Sequence, residues 1–224
     1  MTKAEDPKSQ TSDVAAIVLA AGRSQRMGAF KPLLPFGPTT VIENCIENLR
    51  GGGVETIVVV LGQGRHAEEV KNRLTSVRIS FAVNPDPHSE MSASIACGIR
   101  QVPETTRAVL INPVDHAAVP AEVVAALIRE WRRGWPLVKP IWSEHGGHPV
   151  LVDLRFRDEL LALDPNGGLK AFFGLHQDQV RRVPVDSNFI ARDMDTWDDY
   201  AALHQEVFGA PPPEHVCPDV GKTQ

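Results

Sequence analysis

Residues 19–31 read LAAGRSQRMGAFK, and they place three cations, Arg23, Arg26 and Lys31, in one short stretch. Gly22 and Gly28 let the backbone turn tightly and approach a ligand closely. Exposed amides in such a turn form an anion-binding concavity. Cations fixed beside it stabilise the charge that gathers on a departing pyrophosphate. The chemistry these residue types suit is the handling of a triphosphate. The plainer alternative is a glycine loop carrying solvated charges, since short motifs recur by chance.

The elements around the loop give it a place. Residues 14–19 (VAAIVL) form an unbroken apolar run, as in a strand covered on both faces, so the loop falls at a strand's carboxyl end. Further strands are expected at Thr56 to Leu61, Arg78 to Val83 and Ala108 to Ile111. After Pro120, Val123, Val124, Leu127, Ile128 and Trp131 share one helical face, with Glu122 near the start and Arg129, Arg132, Arg133 and Gly134 at the end. Ser92, Ile95, Ala96 and Ile99 form a weaker stripe. Strands alternating with helices predict a three-layer α/β sandwich around a mainly parallel sheet, with ligands outside the carboxyl ends of its strands. One domain is expected over 13–208, with flexible tails at 1–12 and 210–224.

Composition limits the classes. The 224 residues are 42% hydrophobic and 23% charged, ordinary for a globular chain. A net charge of -5 without basic runs argues against a nucleic-acid face. Three cysteines without metal-type spacing (Cys45, Cys97, Cys217) read as free thiols in a reducing compartment. No apolar run approaches the roughly 20 residues of a membrane helix, and the first residues lack a secretion signal, so the cytoplasm is expected.

The loop also resembles a family signature. It matches the pattern L-A-[AG]-G-x-S-x-R-M-G-x-x-K of the molybdenum cofactor nucleotidyltransferases at every fixed position. The resemblance implies a Rossmann-like nucleotidyltransferase fold. It also implies that Leu19, Ala20, Ala21 and Gly22 contact base and sugar, that Arg23 and Ser24 hold phosphates, and that Lys31 neutralises the α-phosphate. Arg23 and Lys31 are then the catalytic cations. Residues 88–94 (HSEMSAS) resemble the family's G-M-[SA]-x-S segment, with Glu90 in place of glycine, and imply base recognition near Asn84 and Ser92. NPVDH (112–116) matches P-x-D, making Asp115 a Mg2+ ligand, and DMDTWDDY (193–200) resembles D-I-D-T-P-E-D-L, making Asp195 the second, with Asp193 the fallback. HGGHPVLV (145–152) resembles R-G-H-P-V-L-F and implies acceptor contacts from Gly147, His148 and Pro149. His116-Ala117 and Asn166-Gly167-Gly168 depart from the family pattern. Ala21 and the GHPVLV segment favour the cytidylyltransferase branch, hence CTP and a molybdopterin acceptor. Guanylyl transfer or a sugar-phosphate acceptor is the alternative.

Competing readings remain at several positions. Gly62, Gly64 and Ala67 follow a strand as G-x-G-x-x-A, with Asp86 about 20 residues on, as in a dinucleotide-binding oxidoreductase. His145 and His148 could form an H-x-x-H metal pair. Ser89 could cap a helix, Asp115 could open an Asx turn, and Asp195 or Thr196 could start the last helix. A nucleotide sensor without turnover would lack Lys31 or Asp115, and both are present. Lys31 is expected to be a loop lysine with little buried surface. Oligomeric state is not legible in the chain.

Overall fold

The computed structural model describes residues 13–22, 27–75 and 79–213. The chain runs β1 (Val14–Ala20), β2 (Pro35–Phe36), β3 (Thr39–Thr40), α1 (Val41–Gly51), β4 (Thr56–Leu61), α2 (Arg65–Arg73), β5 (Ile79–Val83), α3 (Met91–Gln101) and β6 (Ala108–Pro113). It continues through α4 (Ala121–Arg132), β7 (Leu137–Trp142), β8 (His145–Gly146), β9 (Val150–Asp153), α5 (Arg157–Leu161), α6 (Gly168–Leu175), β10 (Val180–Pro184) and α7 (Trp197–Phe208). The main sheet has the order β10-β7-β9-β6-β1-β4-β5, with β8 pairing β7. All its pairings along that order are parallel except those of β9, which runs antiparallel to both β6 and β7.

Strand β1 shows why the sheet is buried on both faces. Val14, Ala16, Val18 and Ala20 face the layer of α1, α2, α4 and α7, while Ala15, Ile17 and Leu19 face α3, α5 and α6. Alternate side chains on a strand point to opposite faces, so an unbroken apolar run serves two cores at once. Helix α3 lies close on this strand, since a Cβ on Gly98 would stand 2.5 Å from Ile17 Cγ2. The three-layer sandwich expected from the sequence is the fold.

The topology also fixes the ligand edge. From β1 the chain steps to β4 and β5 on one side, and β6 then returns to the other flank of β1. The carboxyl ends of β1 and β6 thus diverge in connection, making the crevice where open α/β sheets bind ligands. The predicted phosphate loop leaves β1 at this crevice. The dinucleotide-like glycines Gly62 and Gly64 follow β4, the neighbour of β1, and lead into α2 without lining the cleft at that crevice.

Candidate functional site

A cleft of about 510 Å³ opens at the carboxyl ends of β1 and β6, lined by Leu19–Gly22, Lys31, Asn84, Asp86–Ser89, Ser94, Pro113–Asp115 and Asp195 among others. Three elements bring its charges together. Lys31 opens a 3-10 turn (Lys31–Leu33) held by Leu34 N donating to Lys31 O. Asp115 follows the end of β6, where Val114 N donates to Leu19 O at 3.0 Å and extends the strand register toward the loop. Asp195 is fixed from both sides: Met194 is fully buried before it, and Thr196 caps α7 in a reciprocal capping box with Asp199 after it.

Lys31 Nζ stands 3.0 Å from Asp195 Oδ1 and 3.6 Å from Asp115 Oδ2. Lys31 is only 8% exposed, which corrects the expectation of a solvated loop lysine. The reason is tertiary: residues 164 apart in sequence supply the counter-charge that makes a buried ammonium tolerable. Asp115 Oδ1 is buried and has no hydrogen-bond partner among the described residues. Two carboxylates sharing one ammonium, with one oxygen unused, fit a divalent cation of the kind that takes one or two carboxylates and completes its shell with phosphate oxygens.

The base-side residues are arranged differently from the expectation. Asn84 Nδ2 donates to Ser89 Oγ and Ser94 Oγ, both at 2.8 Å, and its Oδ1 accepts from Asp86 N. Its amide therefore knits the 84–89 loop to α3. Ser94 lines the cleft; Ser92 is buried and does not. Residues two apart on a helix point nearly opposite ways, so only one of them reaches the ligand side. Ser89 is not the α3 cap: the N-cap is Glu90, without a side-chain bond, and Ser89 Oγ donates to Asp86 O. Gly28 does adopt a left-handed φ of 68°. Arg23, Ser24 and Arg26 lie outside the described residues, as do 1–12, Arg78 and 214–224.

A second pocket of about 500 Å³ begins at His116, the neighbour of Asp115, and includes Gly147, His148, Lys139, Lys170 and Arg182. His148 pairs with His116 at 5.0 Å between rings, while His145 sits on the exposed β7–β8 hairpin with Nδ1 near Ser143 O. The H-x-x-H metal pair is therefore not formed, because the hairpin turns the two histidines apart. Burial, reinforced by His116, pushes the His148 ring down to about 4. Burial likewise holds His116 below its ordinary value, against the pull of Asp115 and Asp193. Gly147 is required by close approach, since a Cβ there would lie 1.9 Å from Ile190 O. That approach lets His148 N donate to Ile190 O at 2.9 Å, ahead of a cis His148–Pro149 bond. Pro149 is buried behind the pocket, in the wall of a small void it shares with Cys45 and Asn112. Sequence reasoning missed Ser94, Lys139, Lys170 and Arg182, and named Asp86, which lines the first cleft, only in the dinucleotide alternative. A signal existed for Lys139, a lysine inside an otherwise apolar strand run.

A Rossmann-like sheet with a lysine held between two strand- and helix-end aspartates at its switch point defines the class as nucleotidyltransferase. Residues 16–181 match the model of the MobA-like NTP transferase domain, and the chain belongs to that family. It is 27% identical to nicotine blue oxidoreductase of Paenarthrobacter nicotinovorans, over 82% of this chain and 92% of the relative. To molybdenum cofactor cytidylyltransferase of Escherichia coli it is 26% identical, over 63% of this chain and 70% of that one. Its fold matches the crystal structure of a Mycobacterium sp. strain JC1 homolog of Mycobacterium tuberculosis rv0371c, with a TM-score of 0.76, 28% identity, and 87% and 96% of the two chains covered. The M. tuberculosis protein has also been solved in complex with manganese, with a TM-score of 0.70, 24% identity, and 86% and 97% covered. No helix among the described residues is long and apolar enough to cross a membrane.

Proposed function

We propose that the protein transfers CMP from CTP onto a phosphorylated acceptor, most simply molybdopterin or its molybdenum-loaded form, and releases pyrophosphate. The observation that carries this reading is Lys31 seated between Asp115 and Asp195 on the floor of the switch-point cleft. Leu19, Ala20, Ala21 and Gly22 line the cleft and are assigned to the base and ribose. An acceptor phosphate oxygen attacks the α-phosphorus in line; the new O–P bond forms as the bond to the β-phosphate oxygen breaks, and the electron pair leaves on pyrophosphate. Lys31 neutralises charge developing on the α-phosphate, and Arg23 is assigned the same role from the loop. Asp115 and Asp195 would hold Mg2+, which supplies Lewis-acid charge at the phosphates when bound. Lys31 then turns from its carboxylate partners to the phosphates. His116, Gly147 and His148 form the acceptor side, with Pro149 buried behind them, in one domain over 13–208 working in the cytoplasm.

The test is pyrophosphate release with Mg2+, comparing CTP, GTP, UTP and ATP with molybdopterin as acceptor. Release with CTP that requires the acceptor is the expected outcome. Release with GTP instead would move the reading to guanylyl transfer. Nucleotide binding without release from any of the four would discard molybdopterin and point to sugar phosphates.

A second reading is favoured by one observation, the near full-length similarity to a relative named as an oxidoreductase. In that reading the same cleft holds a dinucleotide or flavin. Tight binding of NADH or FMN with no CTP binding would establish it and overturn the transferase.

A further inference from the structure

The second pocket carries a charge pattern that the transfer reaction alone does not require. Lys139 on β7 and Arg182 on β10 are register partners in a parallel pair, so their side chains rise side by side from the same face of the sheet. Lys170 on α6 joins them in the lining. Among the described residues no aspartate or glutamate lines this pocket, and none of the three cations has an ion pair there. The contrast with the next residue is direct. Arg181 points to the other face, where its Nε bonds Glu130 at 3.0 Å and its guanidinium lies over Trp135. Of two adjacent arginines one is neutralised and the other is left beside a lysine. Burial, and then Arg182 itself, holds the Lys139 ammonium below its ordinary value. Like charges held together without a counter-ion cost stability, and an anionic ligand would relieve that cost.

We propose that Lys139, Lys170 and Arg182 bind an anionic group of the acceptor, a phosphate or carboxylate remote from the phosphate that is attacked. The inference rests on the transferase reading for the direction of the acceptor. A reacting phosphate at Lys31 and Asp115 leaves the rest of the molecule to run past His116 and His148 into this pocket. There Leu169, Phe173 and Ile190 offer apolar walls beside the cations. The acceptor is thus an elongated molecule with an anionic group at its far end and an apolar or ring-bearing middle; molybdopterin, whose one phosphate is the group attacked, lacks that far group, so this pocket favours another phosphorylated acceptor. The guanidinium fork suits bidentate capture of a planar or tetrahedral oxyanion, and the lysines act as point charges around it.

The experiment is a calorimetric titration of inorganic phosphate into the full-length protein saturated with CTP, so that the first cleft is filled. Phosphate should bind the wild type and Lys31→Met alike. Arg182→Gln and Lys139→Gln should each weaken it by about tenfold or more. Unchanged CTP affinity and circular dichroism will show that these variants are folded. Absence of phosphate binding in the wild type, or equal binding in Arg182→Gln and Lys139→Gln, overturns the anion site. With any acceptor that turns over, phosphate should compete with that acceptor, and Arg182→Gln should raise the acceptor KM about tenfold with kcat nearly unchanged. Phosphate binding that does not compete would mark a site for a free anion and overturn the assignment to the acceptor. Failure of nucleotidyl transfer altogether would remove the transferase reading, while the titration still decides whether the anion site exists.

Discussion

The two pockets lie side by side, separated by the step from Asp115 to His116, yet they are built on opposite electrostatic plans. In the first, a buried lysine is balanced by two aspartates before any substrate arrives. In the second, three cations line the wall with no carboxylate among the described residues there. The first plan suits a site that takes a cation and a polyphosphate together, since the aspartates that hold Lys31 can exchange it for a metal while Lys31 moves to phosphate. The second suits direct capture of an anion with no metal between. The difference also has a cost in acid: the second region packs two histidines that burial keeps neutral.

The largest expected effect breaks the first region alone. Because the Lys31 stem is buried, Lys31→Met keeps its packing better than alanine would. Turnover should fall about 100- to 1000-fold, the loss typical of a removed charge stabiliser, while nucleotide binding persists. A single-turnover measurement of pyrophosphate release checks this, and turnover within threefold of wild type would remove Lys31 from the chemistry.

Gly147→Ala tests the packing that shapes the second region. A Cβ placed 1.9 Å from Ile190 O forces the backbone apart. A loss of roughly 1–3 kcal/mol is expected, with a Tm lower by several degrees, read by thermal unfolding. Acceptor KM should rise while CTP affinity stays the same; a change in CTP affinity instead would mean the two regions are mechanically coupled.

Acid should sharpen the contrast. The folded-state value of His148 is about 4, below its ordinary 6.5, so the unfolded chain takes up the proton first as pH falls. Its neutral form costs nothing above pH 6.5; stability is lost between 6.5 and 4 and levels off below. The loss is on the order of 1–3 kcal/mol. Unfolding midpoints across that window should fall less steeply in His148→Gln than in the wild type.

The smallest effect is on the Asp195 side. Thr196→Ala removes the capping oxygen of α7 and should cost about 1 kcal/mol by denaturant unfolding. Catalysis should also drop a few-fold, because the cap fixes the residue before it. A stability loss with unchanged turnover would show that buried Met194 positions Asp195 by itself.

Much of the first region was legible along the chain. The apolar run before the loop, the glycines, Lys31 and the strand-end Asp115 are local signals, each set by a few neighbours in sequence. Thr196 as helix start is equally local, because a capping box spans only four residues. Reading failed where two segments had to meet. Ser92 and Ser94 carry the same chemistry, and only the rotation of α3 against the sheet says which faces the cleft. The two glycines between His145 and His148 already spoke for a turn rather than a metal pair, but only the fold supplies His116 as the neighbour of His148.

The sequence by itself determined the class of fold, the ligand edge and the cationic loop, because period, strand composition and turn chemistry act over short distances. Only the tertiary structure decided that Lys31 is buried between Asp115 and Asp195. It alone placed Lys139 against Arg182, through the register of two strands some 40 residues apart. Charge balance is a property of neighbours in space, and a linear chain does not state who they are.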